Sequence, residues 1–460
     1  MSVPQSAPCA RKQRGDYPTP DWLVDMVVAH TVPDGVAGRP VRVLDPACGD
    51  GRFLAAAARR LLAVGAVPDL AGMDIDSESV TAARRTLGEL GDRVSWRVEH
   101  GDALATSWGG EQVDIVVGNP PYLSQLAAAT TRGGASRHGG GPYADAAVEF
   151  LALAGRVVRQ GNGRIGLVLP QSILASRDAA GVRAEMDSVA TMEWSWWSPR
   201  PVFDAQVLVC GLVFAARPAP SAGLAARSWS GVVTGALGVP PVPSLQVAGT
   251  FGQRARLTAN FRDQYYGLVP AVREGGTGPR LVTSGLVDPG RCAWGRRDVT
   301  FAKRRFRRPT VELDRLSPAM RRWADELLVP KVLVANQTRV IEAVADPDGR
   351  WLPGVPLITA RPIDGADAWA LAAVLTSGVA TAWAWHRAGG TGLSAHALRL
   401  GPRWLADLPW PAGELDAAVS ALRTGEVQAC ASAVGAAYGV APDDGGSTLG
   451  WWADRLPNGG

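Results

Sequence analysis

"VLDPACGDGRFL", residues 43 to 54, decides how the first half of this chain folds. Val43 and Leu44 lie in a short apolar run, VRVLD (41–45), that reads as a β-strand. Gly49 and Gly51 follow in a tight turn, and GRFLAAAARRLLAV (51–64) continues as a helix. Glycine at such a turn lets the backbone pass close to a ligand with no Cβ in the way. The third glycine of the dinucleotide fingerprint is absent, and Asp45 stands at the strand end. A carboxylate there repels a pyrophosphate and accepts a hydrogen bond from an ammonium group. The ligand expected is therefore an aminoacyl nucleoside rather than a phosphate-bearing cofactor.

Outward from this unit the pattern repeats. DLAGMDID (69–76), VSWRVEHGD (94–102), VDIVVGN (113–119), RIGLVLP (164–170) and AQVLVCGLVFAA (205–216) read as strands. SVTAARRTLGEL (79–90) and ADAAVEFLALAGRVVRQ (144–160) read as helices, and GGASRHGGG (133–141) as a mobile loop. Alternation of this kind implies an α/β fold with a parallel, doubly wound sheet that binds ligands at the carboxyl ends of its strands. Asp74 ends the second strand, 23 residues beyond Gly51, where a carboxylate takes ribose hydroxyls. Asp102 ends the third, where it can accept from an adenine amine. Either aspartate alone reads as a helix cap or turn residue. Three acidic strand ends followed in order by Asn119 make a constellation. Pro120 and Pro121 cannot donate to a sheet and stop the fourth strand, leaving a stiff turn that presents an amide, bare carbonyls and the Tyr122 ring.

At 460 residues the chain has room for two domains, and 47 % hydrophobic with 20 % charged residues fits a globular protein. Pro/Gly crowding breaks the rhythm after residue 217. The expected division is a domain over 1–217, a linker over 218–250, a second domain over 251–415, and a helical extension and tail over 416–460. Five scattered cysteines with no CxxC pair, and no metal-ligand spacing, argue against a zinc or disulfide framework and for a reducing cytoplasm. No signal peptide is visible, and the uncharged stretch Ala368 to Trp385 reads as one buried core helix rather than a membrane span. Net charge is +4, yet residues 291–340 carry 13 Arg/Lys against 5 Asp/Glu, densest at KRRFRR (303–308). That run reads either as a solvated arginine-rich face or as a site for a polyanion.

DPACGDGRFL, MDID, GDAL and NPPY, in that order, resemble the class I S-adenosylmethionine-dependent methyltransferases, and in particular the gamma-class adenine-N6 DNA methyltransferases. GDYPTPDWLVDMVV (15–28) is similar to their cofactor-closing segment, and residues 371–411 resemble the end of their target-recognition domain. The resemblance implies a Rossmann-like methyltransferase sheet with a second, mixed α+β target-recognition domain. It implies S-adenosyl-L-methionine as cofactor, with Tyr17, Thr19, Asp45, Ala47, Gly49, Gly51, Asp74, Ile75, Asp102, Ala103 and Asn119 along it. Asn119, Pro120, Pro121 and Tyr122 would be catalytic. The Asn119 oxygen and Pro120 carbonyl would accept both amine protons of adenine and free its conjugated lone pair. A base within a duplex must first be flipped out. Tyr122, and by resemblance Phe203 of PVFDAQVLVCGLVF (201–214), would stack on it, although Phe203 reads equally as a core residue. Trp194, Trp196 and Trp197 read as packing residues.

On this reading Arg296, Arg297, Arg304, Arg305, Arg307 and Arg308 are candidates for phosphate contacts to double-stranded DNA. No restriction-nuclease module is visible, so a solitary methyltransferase, or the modification partner of a separate nuclease or defence-system protein in a restriction-modification or phage-defence setting, fits better than a fused enzyme. The alternatives are methylation of RNA, methylation of a release-factor glutamine (whose enzymes are much shorter), or a non-catalytic DNA-recognition subunit.

Overall fold

The computed structural model describes residues 18–457 apart from 109, 111, 123–137, 142–143, 204–206, 220–228, 260–261, 364 and 441. The chain divides into two units, Met1–Val232 and Val233–Gly460, the division falling within the stretch read as a linker. The helices after residue 415 belong to the second unit.

The first unit is built on seven strands: β1 (Pro40–Asp45), β2 (Val67–Asp74), β3 (Ser95–His100), β4 (Ile115–Gly118), β5 (Arg164–Pro170), β6 (Ala190–Trp197) and β7 (Val209–Ala216). Their order is β3-β2-β1-β4-β5-β7-β6. Its helices are α1 (Asp21–Thr31), α2 (Arg52–Ala63), α3 (Ser77–Gly88), α4 (Ala146–Val157) and α5 (Ala180–Val189). From β1 the chain winds one way to β3 and then the other way from β4. Right-handed crossovers therefore set α2 and α3, with α1 beside α2, apart from α4 and α5. The reversal leaves a crevice between the carboxyl ends of β1 and β4, whose registers pair Val43 with Ile115 and Leu44 with Val116. β4 is buried along its whole length, as a central parallel strand must be.

The sheet is parallel only from β3 to β5. β7 pairs antiparallel with both β5 and β6, which corrects the wholly parallel expectation at that edge. β6, ATMEWSWW, has no apolar run; its side chains alternate between exposed and half-buried. Its tryptophans meet α1: Trp194 stacks on His30 at 4.3 Å and Trp196 meets Trp22 edge-on at 5.5 Å. These rings cover a sheet edge rather than form a separate aromatic core.

Among the described residues of the second unit, strands of two to six residues make two four-stranded sheets and four two-stranded ones, two of which are hairpins. Lys331 and Asp346 face each other across one antiparallel pair as a fully buried ion pair. The expected helix from Ala368 to Trp385 is two helices, Ala368–Leu375 and Gly378–Ala388, bent by 65°. Ser377 makes the break: its hydroxyl donates to the Val374 carbonyl at 2.9 Å and accepts the Ala380 N–H at 3.1 Å. No single described helix is long and apolar enough to cross a membrane, and this pair is packed inside the unit.

Candidate active site

Asp45, the last residue of β1, is 1 % exposed. Its Oδ1 accepts the Ala47 N–H at 3.1 Å. Burial, reinforced by the charges of Asp74 and Asp50 and opposed by that hydrogen bond, pushes its pKa up to about 8. A carboxyl held this way ionises readily once a cation joins it. Gly118 lies alongside, with φ +150°, and a Cβ there would stand 2.6 Å from Asp45 Oδ1. Only glycine lets the end of β4 pass the acid so closely.

The glycine turn is tied to the end of β2. Asp74 Oδ2 accepts the Gly49 N–H at 2.8 Å, and its Oδ1 accepts the Asp76 N–H at 2.9 Å. Space over Gly49 is open: a Cβ there would meet nothing within 4 Å. Gly51 serves packing instead. It has φ +82°, and a Cβ would lie 3.1 Å from the Ala83 Cα on α3. The sequence reading treated the two glycines alike; the structure gives them different tasks.

A link that sequence reasoning missed joins this turn to the segment before α1. Arg52 grips Asp50 through two nitrogens, and its Nη1 donates to the Thr19 carbonyl. Burial favours a protonated Asp50, but the hydrogen bonds and charge of Arg52 outweigh it and hold the carboxyl below its ordinary pKa. Arg52 thereby fixes Thr19, which is itself buried.

Thr19 in turn reaches Asn119, whose Nδ2 donates to Thr19 Oγ1 at 2.9 Å. Asn119 Oδ1 accepts from the Tyr122 hydroxyl, which also lies 3.3 Å from the Val168 carbonyl. Both ends of the carboxamide are thus held. Among the described residues no donor reaches the Pro120 carbonyl. Tyr122 is 7 % exposed, and burial raises its pKa well above the ordinary phenol value, so it stays a neutral donor. Its ring centroid is 6.1 Å from that of Phe203, which is partly exposed. The more open ring of the two is Phe203.

Just beyond the end of β2, Ile75 is 68 % exposed, an unusual position for a large apolar side chain. Asp102 is exposed and its Oδ1 accepts the Leu104 N–H at 3.0 Å, while Ala103 is buried. Tyr17 lies outside the described residues. The described end of the glycine-rich loop is anchored: buried Glu149 on α4 accepts the N–H groups of His138 at 2.6 Å and Gly140 at 2.8 Å. Nothing in the sequence pattern marks Glu149 as that anchor.

The arginines of the second unit differ in their surroundings. Arg297 forms a two-pronged pair with Asp288 at 2.8 and 3.0 Å. Arg305 and Arg307 share Asp298, at 3.1 and 3.4 Å. The Arg308 backbone N–H donates to Glu274, and the exposed Arg304 guanidinium sits 5.3 Å from the Phe306 ring. Arg296 is exposed.

A sheet in this order, with a glycine turn after β1 and a buried acid at the switch point, is the class I methyltransferase fold. Residues 3–187 match the model of the family described as N-6 DNA Methylase. Among solved structures, the type I restriction-modification system methyltransferase subunit from Streptococcus thermophilus is 19 % identical over 44 % of this chain and 45 % of its own, with a TM-score of 0.37. The EcoKI M protein of a type I restriction enzyme is 18 % identical over 45 % of this chain and 46 % of its own, at 0.35. The type IIG restriction endonuclease BpuSI is 12 % identical over 98 % of this chain and 67 % of its own, at 0.39. The chain thus spans less than half the length of the first two.

The cofactor of this fold is S-adenosylmethionine, and the residues fit it. Asp45 offers a buried carboxyl, open space lies over Gly49, and Asp74 and exposed Ile75 stand at the next strand end. These would hold its ammonium, chain, ribose and base.

Proposed function

We propose that this protein transfers a methyl group from S-adenosylmethionine to N6 of an adenine turned out of duplex DNA. The observation that supports the reading is the close approach of Gly118 to Asp45, which brings the strand end before the Asn119–Tyr122 turn beside the end of β1. The cofactor supplies an electrophilic methyl group on a sulfonium. An exocyclic amine is a poor nucleophile because its lone pair is conjugated into the ring. Asn119 Oδ1, with the Pro120 carbonyl, takes the two amine protons and localises that pair on nitrogen. The amine nitrogen would take that methyl group from the sulfonium and release its extra proton to solvent. Tyr122 and Thr19 hold the carboxamide in one orientation, so its dipole needs no reorganisation. Phe203 offers the partly exposed ring on which the extruded base can stack. In this reading the protein modifies specific sites in a restriction-modification or defence setting.

Labelled-methyl transfer tests the reading. The full chain is offered duplex DNA, structured RNA and a glutamine-bearing release factor, and DNA digests are expected to carry the label as N6-methyladenine. Label confined to RNA or to the release factor replaces the substrate. A protein that takes up no S-adenosylmethionine by calorimetry, with or without duplex, overturns the assignment.

A further inference from the structure

The arginine-rich run folds as a tight hairpin, Val299–Phe301 against Arg304–Phe306, joined by Ala302 and Lys303 alone. Their φ angles are +49° and +62°, and among the described residues they are the only non-glycine residues in the left-handed region. A two-residue turn of this shape favours Asn-Gly, so Ala-Lys is a costly choice on conformational grounds. The surroundings enforce it. The Ala302 N–H donates to the Tyr265 hydroxyl at 3.1 Å, Tyr265 packs on Phe301 at 4.9 Å, and Phe301 and Phe306 are both buried. Backbone strain that the fold over-determines marks positions where a side chain is wanted.

The charges of the hairpin divide sharply. Asp298 engages Arg305 and Arg307. Lys303 at the tip and Arg304 beside it are exposed and have no carboxylate partner among the described residues, although Phe306 steadies the Arg304 guanidinium. A stiff two-stranded ribbon with a cationic tip fits the major groove of a duplex, and Arg or Lys there reads guanine edges.

We propose that the hairpin Val299–Phe306 is a groove-reading ribbon for duplex DNA, with Lys303 and Arg304 as its specificity-determining residues. The inference rests on the DNA-methylation reading for the nature of its partner. Arg305 and Arg307, oriented by Asp298, lie on the ribbon's flank and contribute to phosphate attraction rather than to sequence choice.

Two variants of the full chain test it. Lys303→Ala with Arg304→Ala removes the tip charges. Ala302→Asn with Lys303→Gly and Arg304→Ala supplies the preferred turn pair and removes both tip cations, so it keeps or raises the melting temperature while deleting both readers. Methylated sites are mapped by sequencing in a host expressing each form, and binding to cognate and scrambled duplexes is measured by fluorescence anisotropy. Both variants are expected to lose about tenfold or more of the preference for the parental site while cofactor uptake stays unchanged. An unaltered site list and cognate preference in the turn-optimised variant overturn the proposal. If the parent methylates nothing, the enzymatic reading falls by itself and duplex binding decides the hairpin: equal affinity and salt slope in parent and double-alanine variant reject it. A parent that prefers duplex RNA, with the same loss in both variants, rejects DNA as the partner.

Discussion

Gly118 and Asp45 are in contact across the switch point: a Cβ on the glycine would stand 2.6 Å from the carboxylate oxygen. No flexible side chain can yield there, because the acid is buried and its neighbour is strand backbone. Gly118→Ala must displace either Asp45 or the start of the Asn119 turn, and the φ of +150° adds strain. We expect a loss of stability of about 1–3 kcal/mol and near-complete loss of cofactor uptake. Chemical unfolding and calorimetry read the two effects, and normal uptake by the alanine variant would show that the contact does not shape the site.

The Asp45 carboxyl is expected to couple cofactor binding to pH. Its folded pKa of about 8 exceeds the ordinary value of 3.8, so between these pH values the folded chain binds a proton that the unfolded chain has released. Stability of the cofactor-free protein therefore falls as pH rises through that window. A cofactor ammonium selects the carboxylate, so affinity should strengthen from pH 6 to pH 8 with proton release. Asp45→Asn should flatten the stability profile, raise the melting temperature more at pH 8 than at pH 4, and abolish uptake. Titrations in buffers of different ionisation enthalpy report the proton, and a pH-independent affinity in the parent would contradict the role given to Asp45.

The Asn119 carboxamide is held at both ends, and the two tethers predict a graded series. Asn119→Ala should cut single-turnover methyl transfer by on the order of 100-fold or more with cofactor binding retained. Tyr122→Phe and Thr19→Val each remove one tether, so each should slow transfer less, chiefly through kcat. If the Tyr122 variant equals the parent, the phenol plays no part in orienting the amide.

Much of this site was legible because short motifs place their residues by local geometry. A strand end followed by a tight turn can put Asp45, Asp74 or Asn119 in few places. Links between distant segments left no such trace. Arg52 reaches back 33 positions to Thr19, and Gly118 looks like any strand residue until Asp45 is seen beside it. β6 escaped because its polar and tryptophan alternation belongs to a covered edge, not to an apolar run. Strands of two or three residues in the second unit are shorter than the 4–8 over which alternation becomes visible. The basic run was visible as composition, but which of its cations are already paired depends on Asp288 and Asp298 in space.

Arg297 illustrates that last distinction and yields a test of its own. Its guanidinium holds both oxygens of Asp288, donates also to the Gly285 carbonyl at 2.9 Å, and acts on Glu342. Burial and then the charge of Asp288 push the Glu342 pKa up to about 7 from its ordinary 4.5, with Arg297 pulling the other way. In that interval the folded chain holds the extra proton, so stability declines as pH rises from 4.5 to 7. Arg297→Ala deletes the one favourable charge, moves the folded pKa higher, and extends the decline beyond neutrality. Urea unfolding should show the variant closest to the parent at pH 5 and furthest from it at pH 8, whereas Arg296→Ala, on an exposed side chain, changes little. DNA binding then separates a structural arginine from a phosphate ligand. The salt slope should be unchanged in Arg297→Ala wherever the variant remains folded. A slope lowered by about 0.9, the value for one lost phosphate contact, would put Arg297 on the DNA backbone instead.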